Sequence, residues 1–305
     1  MKEIHNALVV RSVGGLFELL LPDGSLVRCR ARGALRRGDG RVLVGDRVTV
    51  VEERGEHVIA AIAPRKNTLI RPPLANLDRM LVVLSVTDPE PIPETTDKLL
   101  AILAHEEIDA TVVLTKTDLS PDRAEALAAL YRGAGYPVFL TSSEKKQGLQ
   151  ALHTHLKELL HGEQIAAFAG ASGVGKSSLI NALFPSLSLA TGEISEKIAR
   201  GKNTTRHVEL YSVFGEREGG FLADTPGFSM LDFVRFDFMK AEDLESSFRE
   251  FAPYIGKCRY TDCAHVKEEE CAIRAALSEG LIAPSRYESY CSLYTLLREK
   301  KVYDT

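Results

Sequence analysis

The sequence from 165 to 180, IAAFAGASGVGKSSLI, runs from an apolar stretch through a glycine-rich loop into an alternating apolar pattern. This order predicts a strand, a loop and a helix. Glycine at 170, 173 and 175 lets the loop turn tightly, with its N–H groups directed into one concavity where a polyphosphate binds at the helix start. In such a loop Lys176 reaches the β- and γ-phosphates, and the Ser177 hydroxyl binds Mg²⁺.

An ordinary glycine-rich turn that ends in Lys-Ser is the alternative, but the eight-position pattern matches in full and lies between a predicted strand and helix. The predicted phosphate-binding residues are Gly170, Ala171, Ser172, Gly173, Val174, Gly175, Lys176, Ser177 and Ser178.

Two segments earlier in the chain predict selection of guanine. Thr115, Lys116, Thr117 and Asp118 follow the apolar run DATVVL. A carboxylate there can accept both N1–H and N2–H₂ of guanine, a contact that adenine cannot make, while Lys116 lies along the base. The next strand ends in Thr141-Ser142-Ser143, and the backbone of Ser142 and Ser143 is predicted to meet guanine O6. Each segment alone is also compatible with an ordinary polar loop.

The residues that respond to the γ-phosphate are predicted between 200 and 228. Asp224-Thr-Pro-Gly227 follows the apolar run GGFLA, which places Asp224 to hold Mg²⁺ through water and the Gly227 N–H toward the γ-phosphate. Thr204 and Thr205 lie in the polar segment RGKNTTR, and one of their hydroxyls can complete the Mg²⁺ coordination when triphosphate is bound. An ordinary turn is again the alternative for each.

The central part of the chain alternates predicted strands and helices, with helices expected at 94–106, 121–133 and 147–161. This pattern favours a mostly parallel α/β sheet with ligands at the carboxyl ends of the strands, where all these motifs fall. In common GTPases the phosphate loop precedes the guanine-selecting loops, whereas here it follows them. The sequence therefore predicts a circularly permuted P-loop GTPase domain.

The N-terminal part is predicted to be a small barrel. Five short β-rich runs separated by turns between about 7 and 63 favour an OB-fold. Residues 1–72 contain 13 Lys and Arg against 8 Asp and Glu, although the whole chain has a net charge of −4. We expect this basic module to bind RNA through contacts to the RNA backbone. The alternative is that these charges are ordinary solvated surface charges. The arginines concerned are Arg28, Arg30, Arg32, Arg36, Arg37, Arg41 and Arg47.

Near the C-terminus, Cys258, Cys263, His265 and Cys271 follow the pattern C-x₄-C-x-H-x₅-C. Three thiolates and an imidazole close a tetrahedral Zn²⁺ shell, which predicts one structural zinc ion without an open catalytic position. A disulfide is the competing use of these cysteines, and it is disfavoured in a cytosolic chain. Cys29 and Cys291 are expected to pack as small apolar side chains.

These features predict three domains: an RNA-binding barrel at 1–72, the GTPase domain at 73–235 and a helical zinc-binding domain at 236–305. Residues 64–76, rich in Pro and Arg, are interpreted as a linker, and a helix is expected at 241–251. The longest apolar runs fall short of the roughly 20 residues that span a bilayer, so we expect a cytoplasmic protein with no membrane partner. We also expect a monomer.

The order of barrel, permuted GTPase domain and Cys₃His lobe resembles the RsgA (YjeQ) family of small-ribosomal-subunit-dependent GTPases. The segments that carry the resemblance are Gly170–Ser177, Lys116-x-Asp118, Gly201–Thr205, Asp224–Phe228, the Cys₃His set and Ser285-Arg-Tyr287. The resemblance implies binding of GTP and GDP, GTP hydrolysis coupled to late maturation of the 30S subunit, and contact of the barrel and zinc lobe with ribosomal RNA. An RNA-binding placeholder with incidental hydrolysis is an alternative, and a permuted ATPase is disfavoured by Asp118.

Three positions qualify this expectation. Thr115 stands where many GTPases have Asn, which removes an amide that helps to hold the loop, and Asn203 stands where the family is associated with His. Phe228 follows Gly227 where Ras-like enzymes carry the Gln that orients the attacking water. An apolar ring cannot orient water, so we expect slow hydrolysis by the isolated protein and acceleration by the small subunit.

Overall fold

The fold is described from a computed structural model that covers residues 3–36, 40–53, 55–69, 73–187, 208–215, 219–224 and 239–300, without the side chains of 34, 36, 186, 224 and 300. The described residues form two compact units. The first draws on 1–79, 151–168 and 177–228, and the second on 80–150, 169–176 and 229–305. No helix within these described ranges combines the length and apolar character that a bilayer crossing requires.

The barrel belongs to the first unit and consists of five strands, β1 (Glu3–Val13), β2 (Leu16–Leu20), β3 (Leu26–Ala31), β4 (Arg47–Glu53) and β5 (Glu56–Ile62). They pair in the order β1–β2–β3–β5–β4, and β4 pairs back to β1, which closes the barrel. Strands β3 and β5 run parallel and the other neighbours antiparallel. Alternate side chains such as Leu19, Val50 and Ile59 are fully buried inside. The predicted OB-type barrel is confirmed.

The interpretation of residues 64–76 as a linker is wrong. Strands β6 (Thr68–Leu69) and β7 (Leu74–Ala75) pair antiparallel in this segment, and Leu69 and Leu74 are buried. The Asn67 amide donates to the Leu77 carbonyl and accepts from the Leu77 N–H, both at 2.9 Å. The composition in Pro and Arg concealed the apolar side chains that make this segment pack.

The first unit continues from the barrel into further strands. Strand β12 (Glu209–Ser212) lies between β1 and β13 (Phe221–Asp224), and β11 (Ile165–Ala169) lies beyond β13. Strands β11 and β13 are parallel, whereas β12 is antiparallel to both β13 and β1. This unit also contains α3 (Leu149–Leu159), apart from its first two residues, and most of α4 (Lys176–Leu183).

In the second unit, β8 (Arg79–Ser85, apart from Arg79), β9 (Asp109–Thr115) and β10 (Val138–Leu140) lie in the order β10–β9–β8. Helices α1 (Pro93–His105) and α2 (Pro121–Gly133) connect them, so the predicted alternation of strands and helices is confirmed. Both helices begin with a proline, whose fixed backbone angle suits the first helical position. From Met80 to Ser85, β8 is buried at every position, as expected for a strand covered on both faces.

The C-terminal lobe belongs to the second unit and ends in two helices, α5 (Ala272–Ser278) and α6 (Pro284–Lys300). The predicted helix at 241–251 is wrong, because this segment forms three 3-10 turns at Ala241–Asp243, Glu245–Ser247 and Arg249–Phe251. Leu244, Phe248 and Phe251 are buried at helical spacing, which explains the expectation. Phe248 has an extended backbone and the Ser246 hydroxyl donates to the Asp243 carbonyl at 2.8 Å, which interrupts a continuous helix.

Candidate functional site

The predicted phosphate loop lies between the end of β11 and the start of α4. A Cβ atom at Gly170 would lie 2.4 Å from the Val83 carbonyl oxygen, so only glycine fits beside that strand. Gly173 and Gly175 have φ angles of +82° and +94°, which other residues rarely adopt. The three glycines therefore have the conformational roles that the motif requires.

Lys176 lies across this loop. Its Nζ donates to the carbonyls of Gly170 at 2.6 Å and Ala171 at 2.9 Å. Burial lowers the pKa of Lys176 to about 8, because a charged ammonium is poorly solvated there. A phosphate oxygen bound beside this group would favour its charged form, which suits a site for an anion.

The residues predicted to select guanine meet at the ends of β9 and β10. Lys116 takes a left-handed conformation with φ of +56°, and Thr117–Leu119 forms a 3-10 turn. The Thr117 hydroxyl donates to the Thr141 carbonyl at 3.1 Å, while the Thr141 hydroxyl donates to the Leu114 carbonyl at 3.0 Å. These bonds hold the two predicted guanine loops against each other.

The polar groups of these loops remain accessible to different degrees. Asp118 and Ser143 are half-buried, and Ser142 is buried. The Ser142 hydroxyl accepts from the Lys145 N–H at 3.1 Å, which stabilises the loop. The Asp118 carboxylate, which is predicted to accept from guanine, therefore remains partly exposed.

Thr115 connects the guanine loop to the phosphate loop. Its hydroxyl donates to the Val174 carbonyl at 2.6 Å, and the Leu84 carbonyl lies at 3.2 Å. We expected the replacement of Asn by Thr to remove a group that holds the loop. The amide is absent, but the buried Thr115 hydroxyl makes a short bond to the phosphate loop and so holds the two loops together.

The loop after β8 also lies at this site, although no sequence motif pointed to it. The Lys116 ammonium donates to the Asp88 carbonyl, and a Cβ atom at Gly173 would lie 3.6 Å from Pro89 Cδ. This loop therefore borders both the phosphate loop and the guanine loop. Its position after the carboxyl end of a buried strand was the available signal.

The remaining predicted nucleotide residues lie in the first unit or outside the description. Ser177 and Ser178 are in the first turn of α4, half-buried and exposed respectively. Asp224 ends β13, where its backbone pairs with Glu209. The Asp224 side chain, together with Thr204, Thr205 and Gly227, lies outside the described residues.

The Cys₃His set comes together as predicted. The Sγ atoms of Cys258, Cys263 and Cys271 and a ring nitrogen of His265 all lie within 4.8 Å of one another. His265 Nδ1 is 3.5 Å from Cys258 Sγ and 3.4 Å from Cys271 Sγ, and those two sulfurs are 3.8 Å apart. A tetrahedral zinc with bonds of about 2.0 to 2.3 Å needs ligand separations close to these, so the donors fit such an ion. All five cysteines are free, which contradicts the disulfide alternative.

Helix α6 holds the loop that carries this centre. The Tyr287 hydroxyl donates to the His265 carbonyl at 2.7 Å, and the Tyr290 hydroxyl donates to the Ala264 carbonyl at 3.0 Å. Cys29 is buried in the barrel and Cys291 packs against the core of the C-terminal lobe, as predicted.

The barrel arginines differ in how far they are exposed and in whether they pair with an acidic side chain. Arg28 and Arg32 form ion pairs with Glu18 and Glu53, and the Arg47 side chain is only 18% exposed beside Glu163. Arg30 and Arg41 are exposed, whereas the side chains of 36 and 37 lie outside the description. Part of the predicted basic charge is therefore neutralised by acidic residues of the first unit.

Two family models match consecutive parts of the chain. The family model described as RsgA GTPase matches residues 62–234, and the model described as RsgA N-terminal domain matches 7–59. The small ribosomal subunit biogenesis GTPase RsgA of Alkaliphilus metalliredigens is 40% identical over 97% of this chain and 98% of its own. The protein of the same name from Geobacillus thermodenitrificans is 39% identical over 96% and 97%.

Two crystal structures are also similar. YjeQ from Thermotoga maritima has a TM-score of 0.79 and 32% identity, covering 97% of this chain and 99% of its own. YloQ, described as a circularly permuted GTPase, has a TM-score of 0.76 and 30% identity, covering 98% and 96%. With the motif order and the joined loops, these matches show that the chain belongs to the RsgA family of circularly permuted GTPases.

Proposed function

We propose that the protein is a Mg²⁺-dependent GTPase that binds the small ribosomal subunit and hydrolyses GTP in its late maturation, with hydrolysis stimulated by the subunit. The names of the relatives support this role, because the identity extends over nearly their whole lengths. The observation that carries the proposal is the pair of bonds from Thr115 to Val174 and from Thr117 to Thr141. They support one nucleotide site built from the phosphate loop and both guanine loops.

The chemistry needs no covalent intermediate. Lys176 binds the β- and γ-phosphates, and the backbone of Gly170–Gly175 donates to them. Ser177 would hold Mg²⁺ directly and Asp224 through water, Thr204 or Thr205 would complete the coordination, and the Gly227 N–H would meet the γ-phosphate. Mg²⁺ supplies positive charge that offsets the charge on the transferred phosphoryl group.

Guanine specificity is assigned to Asp118, with Lys116 along the base and Ser142 and Ser143 at O6. An Asp118→Asn variant should lose at least about 100-fold in GTP affinity, because an amide cannot accept both donors of the guanine edge. The same amide can donate to the O2 of xanthine, so the variant should gain affinity for XTP. Asp122→Asn, an exposed acid at the start of α2, is the matched control and should leave both affinities unchanged.

The proposal also covers the barrel, the bounds of the GTPase domain and the C-terminal domain. The barrel, proposed to span 1–72, contacts ribosomal RNA through exposed basic side chains such as Arg30 and Arg41. The GTPase domain spans 73–235, and the domain at 236–305 holds one structural zinc ion. A ribosome-assembly factor of this kind acts in the cytoplasm, and we propose that it does so as a monomer.

The decisive test is steady-state hydrolysis of GTP by the purified protein with and without small ribosomal subunits, with ATP and large subunits as controls. Because Phe228 cannot orient water, the isolated protein should turn over at about 10⁻⁴ to 10⁻² s⁻¹. The small subunit alone should raise this rate strongly. Equal turnover with and without subunits would contradict the proposal and would favour a placeholder that binds GTP without using hydrolysis.

A further inference from the structure

The imidazole of His265 has a partner on each side. Its Nδ1 faces the sulfurs of Cys258 and Cys271, while its Nε2 lies 2.5 Å from Oε2 of Glu245. His265 is only 2% exposed, so this carboxylate and the sulfurs account for both ring nitrogens. A carboxylate that accepts from Nε2–H leaves the Nδ1 lone pair free for a metal ion.

Glu245 is held in place by its own surroundings. It begins the middle 3-10 turn of the 241–251 segment, between Leu244 and Phe248, which are both buried. These two side chains belong to one apolar cluster with Ala101 of α1 and Tyr290 of α6. The carboxylate therefore projects from a packed turn toward His265, and it links the Cys₃His loop to the turn that contacts α1.

The contact with Glu245 also bears on the orientation of the His265 ring, because the backbone at this residue is unusual. Its φ angle is +61°, a conformation that is uncommon for residues other than glycine. The Tyr287 hydroxyl holds its carbonyl oxygen, but this bond does not determine the rotation of the ring. The bond from Nε2 to Glu245 does, because it sets which edge of the imidazole faces the cysteines.

We propose that Glu245 is a positioning residue for the metal centre, which fixes the tautomer and orientation of His265 so that Nδ1 is the ligand. This inference rests on the proposed zinc site. It assigns a role in metal binding to a residue that is 13 positions before the first cysteine of the motif and outside its pattern.

The test is the zinc affinity of the full-length Glu245→Ala protein, measured by competition with a chromophoric chelator. We expect a loss of about 10- to 100-fold, the range found when partners of metal-binding histidines are removed. Glu245→Gln should give an intermediate affinity, because its amide oxygen still accepts from Nε2–H. Glu279→Ala removes an exposed acid of the same lobe and should remain within about twofold of the unmodified protein.

Thermal unfolding of the metal-free proteins separates metal binding from packing. If Glu245 acts through His265, metal-free Glu245→Ala and the metal-free unmodified protein should unfold at similar temperatures, and zinc should stabilise the variant less. Unchanged zinc affinity in Glu245→Ala would overturn the proposal, as would a fall in stability without a fall in affinity. If Glu245→Ala does not fold, unchanged affinity and Co²⁺ absorption in Glu245→Gln would overturn it. Absence of zinc binding by the unmodified protein would instead contradict the proposed zinc site.

Discussion

Two arginines bind buried carboxylates in different parts of this molecule, and the balance of charge differs between them. In the first unit, Arg65 contacts both oxygens of Asp46, with Nε to Oδ1 at 2.7 Å and Nη2 to Oδ2 at 2.8 Å. Asp46 is fully buried and also accepts from the Leu43 N–H at 2.7 Å. One cation meets one anion here, and the pair joins the barrel to the 64–78 segment.

In the second unit, Arg286 of α6 serves two carboxylates. It donates to Asp97 of α1 at 2.7 Å and to both oxygens of Glu250 at 2.6 and 3.1 Å. Its guanidinium lies 4.7 Å from the centre of the Phe248 ring, and the residue is only 1% exposed. This cluster has two carboxyl groups for one guanidinium, and Asp97 Oδ2 has no hydrogen-bond partner within the described part of the chain.

The comparison shows why two similar contacts should respond differently to mutation and pH. Burial raises the pKa of Asp97, with Glu250 acting in the same direction and Arg286 and Ser289 opposing it. Of the two contacts, the Arg286 cluster should therefore lose more stability when its arginine is removed. It should lose less stability when one of its acids is removed. It joins the C-terminal lobe to α1, so its loss should loosen that lobe.

The largest effect is expected for Arg286→Met. This change leaves Asp97 and Glu250 buried without a cation and should lower the free energy of unfolding by about 3 to 5 kcal/mol. Chemical denaturation would measure it. Arg298→Met, on the exposed face of the same helix, should change stability by no more than about 0.5 kcal/mol. Similar losses in both variants would contradict the importance of the cluster.

A smaller loss is expected for Asp46→Asn. The isolated arginine can recover hydration, because the Arg65 side chain is 17% exposed, so we expect a cost of about 1.5 to 3 kcal/mol. The control is Glu53→Gln, which breaks the exposed pair with Arg32 and should cost at most about 1 kcal/mol. A larger loss for Asp46→Asn than for Arg286→Met would reverse the comparison.

Asp97→Asn should have little effect at pH 7, within about 1 kcal/mol, because the lost ion pair is offset by relief of excess negative charge. Its signature is the pH dependence. A carboxyl with a raised pKa binds its proton more tightly in the folded state, so the protein loses stability as pH rises from 3.8 through that raised pKa. Asp97→Asn removes this carboxyl group, so the variant should not lose stability in this way as pH rises.

Unfolding free energies of both proteins at a series of pH values from 3.8 upwards, with saturating zinc, would test this. The stability of the variant relative to the unmodified protein should increase with pH. A difference that is constant or decreases with pH would show that Arg286 alone controls the ionisation of Asp97.

The smallest effect is expected for Tyr136→Phe, next to the same cluster. The Tyr136 hydroxyl is buried without a hydrogen-bond partner in the described residues, so its removal should leave stability unchanged or raise it by up to about 1 kcal/mol. Tyr290→Phe, which removes the bond to the Ala264 carbonyl, should instead cost about 0.5 to 1.5 kcal/mol. Destabilisation by Tyr136→Phe would indicate an ordered water on that hydroxyl.

Much of the local geometry of the phosphate loop and of the Cys₃His set was predictable because their motifs are local. The glycines at 170, 173 and 175 act through backbone angles and close approach, which depend on a few neighbouring residues. The four metal-binding positions lie within fourteen residues, so their spacing alone limits how they can meet. The errors at 64–76 and 241–251 also have a local origin, because composition and periodicity do not reveal which side chains a neighbouring core will cover.

The sequence by itself determined the motifs, their permuted order, the five-stranded barrel and the Cys₃His set. Each of these depends on the types of residues that are close together in the sequence. Only the tertiary structure decided the contacts made across long separations: Thr115 with Val174, Glu245 with His265, and Arg286 with Asp97, separated by 59, 20 and 189 positions. The physical reason is that a hydroxyl, a carboxylate or a guanidinium accepts many partners, and packing selects the one that lies within hydrogen-bond distance.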